Sequence, residues 1–251
     1  MLAHRVRYVM GVLNYMVYVA VNYYLWEALF AVEEDKTKAG WTLAQMQTYV
    51  VVNWVVRSAY YSNSDNILAA RINKGEITSD LMRPSSLLIQ FYGSALGEAA
   101  FRAFFMAAPV LALAVVFFNI QLPAGGLNAG LFAYSIFLAF HIFFAVNFLT
   151  GLCAVYTEKL QGFLWAKFML LQFLSGLLLP LEFFPETIRP VFKALPFIGM
   201  AYTPMSIYLG RLSGNELWGA VAQQTFWTIT LMVLCELFWR KCRRRLSVLG
   251  G

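Results

Sequence analysis

Apolar runs long enough to cross a bilayer follow one another along most of this chain, and they limit the possible folds more than any motif does. The sequence is 60% hydrophobic and has only 19 Lys and Arg and 13 Asp and Glu in 251 residues. A soluble domain of this size needs more charge to cover its surface. Since a membrane-spanning helix takes about 20 apolar residues, we predict a single-domain, all-α integral membrane protein over residues 1–251.

The apolar runs predict six transmembrane helices. We place them at Tyr8–Val32, Leu43–Ser64, Ala99–Ile120, Gly130–Tyr156, Phe163–Leu181 and Leu217–Trp239. The first run has no small-residue cleavage site after a short core, so it is interpreted as a retained span. The residues from 85 to 98 are apolar but interrupted by polar side chains, which leaves an earlier start of the third helix open.

Basic residues are concentrated in alternate connections between these runs. They occur near both ends of the sequence and after the second and fourth runs, whereas the other connections are richer in Asp and Glu. Lys167 is expected to snorkel to the basic side from the start of the fifth helix. Because Lys and Arg prefer the cytoplasmic face of a membrane, both termini are predicted to be cytoplasmic.

The outer connection from Glu182 to Glu216 is too rich in proline for a full span and too apolar for a solvated loop. A pair of short helices that enter the outer leaflet and return would satisfy both constraints. The candidate residues for an outer gate in this segment are Phe184, Pro185, Pro196, Phe197 and Pro204.

Several polar side chains fall within the second predicted span, where a charge is costly. Steps of three or four residues place four of them on one helical face as a candidate substrate path: Tyr49, Asn53, Arg57 and Tyr60. Alternatively, Arg57 pairs with Glu98 and holds two helices together, although Glu98 could also pair with Arg102. His141 lies among phenylalanines, which favours a hydrogen-bonded packing role over metal binding.

The sequence contains none of the motifs that would indicate catalysis or nucleotide binding by this chain. A P-loop motif, a nucleophile elbow and a zinc-protease motif are all absent. The three cysteines have no paired spacing, so neither a disulfide framework nor a metal site is expected. Despite the net charge of +6, the basic residues form no groove-sized patch, and we expect no nucleic-acid partner.

A charged stretch between the second and third spans carries the most specific pattern. It reads Ile-x-x-Gly-Glu-Ile-x-x-x-Leu-x-Arg-Pro from Ile72 to Pro84. With Ser175-Gly176 and Phe184-Pro185 further along, the chain resembles the permease subunits of ABC-2 type exporters, in particular a bacterial branch described as ABC-2 family transporter proteins. The resemblance covers nearly the whole chain. It departs at the N-terminus, where Met1–Arg7 leaves no space for the complete amphipathic connecting helix usual in such permeases.

The resemblance implies a permease, not an enzyme, in the bacterial inner membrane. ATP and magnesium would be bound by a separate ABC ATPase, which would contact a coupling helix at about Ile67–Pro84. The contact residues would be Arg71, Ile72, Lys74, Gly75, Glu76, Ile77, Asp80, Leu81, Arg83 and Pro84. A second, diverged permease is the expected membrane partner besides lipid, and the substrate would be amphipathic or hydrophobic. The alternatives are a non-transporting assembly or anchoring subunit and a lipid-modifying membrane enzyme.

Overall fold

The computed structural model describes residues 2–31, 37–157 and 160–249. It is 80% helical, which confirms the all-α fold. Within these ranges the α-helices are α1 (Leu2–Ala31), α2 (Leu43–Tyr60), α3 (Ser64–Asn73), α4 (Ile77–Leu81), α5 (Leu87–Arg102), α6 (Ala108–Phe117), α7 (Gly126–Leu152), α8 (Gln161–Leu174), α9 (Arg189–Ala194), α10 (Tyr202–Tyr208) and α11 (Gly214–Leu249). A short antiparallel hairpin, β1 (Thr37–Lys38) with β2 (Trp41–Thr42), precedes α2.

Three helical segments of the described chain are long and apolar enough to cross a membrane: Leu87–Phe117, Gly126–Val155 and Gly214–Arg245. The first joins α5 to α6 through a π-helical turn at Ala103–Ala107. Pro109 follows that turn. A proline has no backbone N–H to donate a hydrogen bond, and its ring clashes with the preceding turn of a regular α-helix. The wider turn therefore lets the helix continue past the proline.

The third predicted span begins at Leu87 instead of Ala99. Ser86 lies in extended conformation and its hydroxyl accepts a hydrogen bond from the Ile89 amide at 3.3 Å, so it is an N-cap. Pro84 also disfavours helix in the residue before it. The N-cap at Ser86 and the proline at position 84 therefore account for the earlier start, which the sequence left open.

The fifth predicted span ends at Leu174 and not at Leu181. Gly176 has a φ of +77°, and a Cβ there would lie 2.9 Å from the Cβ of Tyr202. Only glycine accepts this backbone conformation without strain and also leaves room for the neighbouring chain. The helix consequently stops, and the chain turns back against the bundle.

Helix α7 is the centre of the structure. In its apolar segment 61% of residues are buried, against 17% for the α5–α6 segment and 28% for α11. A helix that is apolar on all sides is characteristic of such an interior position. It packs against α11, α3 and α10, so any movement of those helices has to be accommodated by α7.

The connection between α8 and α11 contains two short helices, α9 and α10, and two 3-10 turns at Leu181–Phe183 and Pro196–Met200. It is held against the bundle, since the Tyr60 hydroxyl donates to the Met200 carbonyl at 2.8 Å. Among the predicted gate residues, Phe184, Pro196 and Pro204 are buried, Phe197 is half-buried and Pro185 is exposed. The segment is therefore packed protein and not a solvated loop.

Candidate functional site

The charged stretch after α2 forms a helical hairpin instead of one coupling helix. Helices α3 and α4 are joined by a turn in which Gly75 has a φ of +73°. Of the ten predicted contact residues, six are exposed, namely Lys74, Gly75, Glu76, Leu81, Arg83 and Pro84. Arg71 and Ile72 are half-buried, and Ile77 and Asp80 are buried.

The prediction that Asp80 offers its charge to a partner needs correction. Its side chain is 2% exposed, and its carboxylate is held inside the hairpin by Arg71. Arg71 Nη2 donates to Asp80 Oδ1 at 2.9 Å, and the Nε–Oδ2 distance is also 2.9 Å. Such paired contacts between guanidinium and carboxylate fix orientation as well as charge. The pair therefore joins α3 to α4.

Helix α4 of the hairpin is attached to the bundle through both polar and apolar contacts. The Gln90 side chain donates to the carbonyls of Asp80 at 3.0 Å and Ser85 at 2.9 Å. Ile77 is 3% exposed and belongs to the core cluster that also contains Leu87 and Trp239. Helix α4 is thus fixed to α5 through Gln90, and Ile77 adds it to the apolar core.

The C-terminal end of α4 presents apolar side chains to the outside. Met82 is 87% exposed and its neighbour Leu81 is 38% exposed, both among charged residues. Met82 was not among the predicted contacts because it occupies a variable position of the motif. The available signal was that it lies next to Leu81 in an otherwise polar stretch. Flexible methionines are frequent at adaptable binding surfaces.

Helix α3 approaches α7 closely at Gly151. A Cβ at this position would lie 3.0 Å from the Asp65 carbonyl oxygen and 3.1 Å from Leu68 Cβ. Glycine therefore allows near-contact between the two backbones. Together with the Arg71–Asp80 pair, this contact connects α4 through α3 to the central helix.

Three of the four residues predicted to line a substrate path lie in the core. The Tyr49 hydroxyl donates to the Gly176 carbonyl, and the Tyr60 hydroxyl donates to Met200. Asn53 is 2% exposed. Arg57, in contrast, lines a cavity of about 410 Å³ between the C-terminal end of α2, α7 and α8.

The cavity contains a buried ion pair that the sequence did not indicate. Lys167 binds Asp65 of α3, and Lys167 Nζ also donates to Asn147 Oδ1 at 2.7 Å. The two charged side chains are 10% and 6% exposed. The expectation that Lys167 snorkels to the membrane surface is therefore wrong, because a carboxylate on the facing helix holds it inside.

Glu98 does not form the pair with Arg57 that we considered. It accepts a hydrogen bond from Arg102 Nε at 3.0 Å, one helical turn away. The Arg57 guanidinium lies instead near three rings, at 5.1 Å from Phe168, 5.8 Å from Tyr61 and 5.9 Å from Trp54. Cation–π contacts of this kind partly replace water around a buried guanidinium.

The packing role predicted for His141 is confirmed. One ring nitrogen, Nε2, is 2.9 Å from the Tyr92 hydroxyl, and the other, Nδ1, is 2.7 Å from the Phe137 carbonyl. The histidine is buried among phenylalanine rings. Both nitrogens are thus occupied by neighbouring groups of α5 and α7.

At the opposite end of the bundle, Glu182 organises a second polar cluster. Its carboxylate accepts hydrogen bonds from Trp41 Nε1 at 3.1 Å and from the Tyr202 hydroxyl at 2.8 Å. Burial raises the pKa of Tyr202, and the nearby Glu182 charge raises it further, so the hydroxyl stays protonated as a donor. Arg211 adds an ion pair at 3.9 Å and stacks on the Trp41 ring. The cluster joins the β-hairpin to the outer connection.

Comparison with protein families gives one match, to the model described as ABC-2 family transporter protein, over residues 16–250. Comparisons with curated proteins and with solved structures returned no match. Members of this family are membrane components of transport systems. The long apolar helices of the described chain agree with a location in a membrane. The match covers most of the chain and includes both the hairpin and the cavity. The chain therefore belongs to the ABC-2 transporter family.

Proposed function

We propose that this protein is the permease subunit of an ATP-driven exporter whose ATPase is a separate chain. The observation that carries the proposal is the α3–α4 hairpin. The C-terminal end of α4 exposes Met82 and Leu81, while Gln90 and Ile77 fix the same helix to the bundle. A surface that is both exposed and attached to the bundle is suited to receive a partner and pass its movement on.

Transport needs a difference in contacts between two states, because a ligand shifts an equilibrium only through differential affinity. In the proposed mechanism, ATP and magnesium bound by the partner change the position of the hairpin. The Gly151 contact and the Arg71–Asp80 pair then transmit that change to α7 and to α8, which borders the cavity. The chain itself carries no step of ATP hydrolysis.

The proposed topology has six spans and both termini in the cytoplasm of a bacterium, with the protein in the inner membrane. Helices α1, α2 and α8 supply the three spans beyond the strongly apolar segments. The hairpin and the Arg57 cavity then lie toward the cytoplasm, and the Glu182 cluster lies outside. There it would keep the outer connection closed as a gate until the bundle moves.

A six-helix chain lines only half of a translocation path, so we propose a dimer with a second permease. We favour a diverged relative over an identical copy as this second permease. The exposed apolar side chains of the helices face this partner and the lipid. The transported molecule is amphipathic or hydrophobic, since aromatic and aliphatic side chains line the cavity together with polar and charged ones.

The test is purification of the affinity-tagged protein from membranes of its own host. We expect a second chain with a P-loop motif in the preparation, together with magnesium-dependent ATP hydrolysis. The tagged chain purified alone should bind no ATP, because it lacks a phosphate-binding loop. ATP binding by the isolated chain, or purification from native membranes without any ATPase, would contradict the proposal.

A further inference from the structure

The cavity beside the C-terminal end of α2 contains one cation more than its own residues neutralise. Its charged lining groups are Arg57, Lys167 and Asp65. The Asp65 carboxylate is bound by Lys167, which also binds Asn147. The positive charge of Arg57 is therefore left over.

Arg57 has no carboxylate partner within the residues that the structure describes. Glu98, the acidic residue that was considered for this role, is bound by Arg102 at 3.0 Å. The Arg57 side chain is nevertheless only 6% exposed and lines the cavity. A buried charge without a counter-ion is unfavourable unless something in the functional state compensates it.

The rest of the lining defines what such a compensating group can be attached to. The guanidinium lies near the Phe168 ring, and Phe143 and Leu171 add further apolar lining among the polar side chains of the cavity. The cavity volume of about 410 Å³ is within the range of small-molecule sites. Exposed side chains at its edge, Asn63, Gln161 and Trp165, provide a route of entry.

We propose that this cavity binds an amphipathic anion, with a carboxylate or phosphate group on Arg57 and the apolar part against Phe168 and its neighbours. A guanidinium suits both groups because its planar N–H donors match two oxygens at once. This assignment rests on the proposed function, for which it names the substrate class. It also fits the proposed topology, in which the cavity lies at the cytoplasmic end where an exporter admits its substrate.

Two kinds of molecule combine an anionic group with an apolar part in this way, a soluble amphiphile and an anionic membrane lipid. Native mass spectrometry of the full chain, released from neutral detergent, can distinguish them. The probes are dodecyl phosphate for the first source, phosphatidylglycerol for the second and dodecanol as the uncharged control. We expect wild-type protein to retain one dodecyl phosphate with at least about tenfold preference over dodecanol, as for one charge-assisted contact.

The variant Arg57→Gln should lose that preference by about tenfold or more, and Arg57→Lys should keep part of it. The matched control is Arg102→Gln, which removes a charge near Tyr61 but not from the cavity lining. It should leave the preference unchanged. Because Arg57→Gln leaves no carboxylate unpaired in the described structure and loses only the contacts of the guanidinium with nearby rings, we expect the variant to fold, which its melting temperature checks.

Retention of phosphatidylglycerol in place of dodecyl phosphate, still dependent on Arg57, would assign the site to a lipid headgroup. Equal retention of dodecanol and dodecyl phosphate by wild-type protein would overturn the proposal, even if the variants do not fold. So would an Arg57→Gln protein with unchanged preference. These measurements use the permease without ATPase, so a missing ATPase would refute the proposed function while leaving the anion site standing.

Discussion

Replacing Lys167 by Met is expected to destabilise the protein by about 3–5 kcal/mol, because the buried Asp65 carboxylate would lose the ammonium group that binds it. The two side chains are only 10% and 6% exposed, so water cannot take over the role of the lysine. The double variant Asp65→Asn with Lys167→Met should recover much of the loss, since it leaves no charge behind. Denaturant unfolding in micelles measures the free energy of unfolding for each variant.

Arg240 provides the matched control for this experiment. It binds Glu236 at 2.8 Å, but the two side chains are 69% and 37% exposed. An exposed pair contributes about 1 kcal/mol or less, so Arg240→Met should change stability by no more than that. If Lys167→Met were as mild as Arg240→Met, the buried pair would not be a structural element of the cavity.

Replacing Met82 by Asp is expected to reduce the ATPase activity that copurifies with the protein by at least about tenfold. Anchor residues at the centre of an interface contribute about 2 kcal/mol or more, and about 1.4 kcal/mol corresponds to a tenfold change in binding. Met82 is 87% exposed at the C-terminal end of α4, so the change should not disturb folding. Magnesium-dependent ATP hydrolysis per purified permease is the measurement.

Leu122→Asp is the control for the hairpin variant. Leu122 is 83% exposed and lies before α7, in the connection that the proposed topology places outside. It should retain the wild-type amount of ATPase. Equal losses of ATPase activity from both variants would indicate a general effect of the added charge and not a contact at Met82.

The helical class was predictable from the sequence because apolar length and composition alone require it. The run from Gly130 to Tyr156 corresponds to α7 within a few residues. Boundaries were less accurate where a single residue decides them. Gly176 ends α8 through a positive φ and a close approach to Tyr202, and the second of these depends on tertiary packing.

The hairpin could be located from its motif, but its internal organisation could not. Asp80 and Glu76 are equally acidic in the sequence, yet Asp80 is buried on Arg71 while Glu76 is exposed. Which carboxylate faces inward depends on how α4 folds back on α3. Helical periodicity carries no information on that across the turn at Gly75.

The cavity was the least predictable part. Its ion pair joins Asp65 and Lys167, which are 102 residues apart. The sequence pointed to the stripe on α2, but the structure places Tyr49 and Tyr60 in hydrogen bonds to other segments and leaves Arg57 at the cavity. Side chains that share a helical face therefore separated into different environments, because different neighbours pack along that face.

Photo-crosslinking from position 82 in native membranes tests the proposed contact between the hairpin and a separate ATPase most directly. A photoreactive amino acid replaces Met82 in one variant and Leu122 in the other, and crosslinked products are identified by mass spectrometry. We expect position 82 to crosslink to a chain with a P-loop motif and position 122 not to do so. An ATPase crosslinked equally from both positions, or from neither while ATP-driven transport continues, would contradict it.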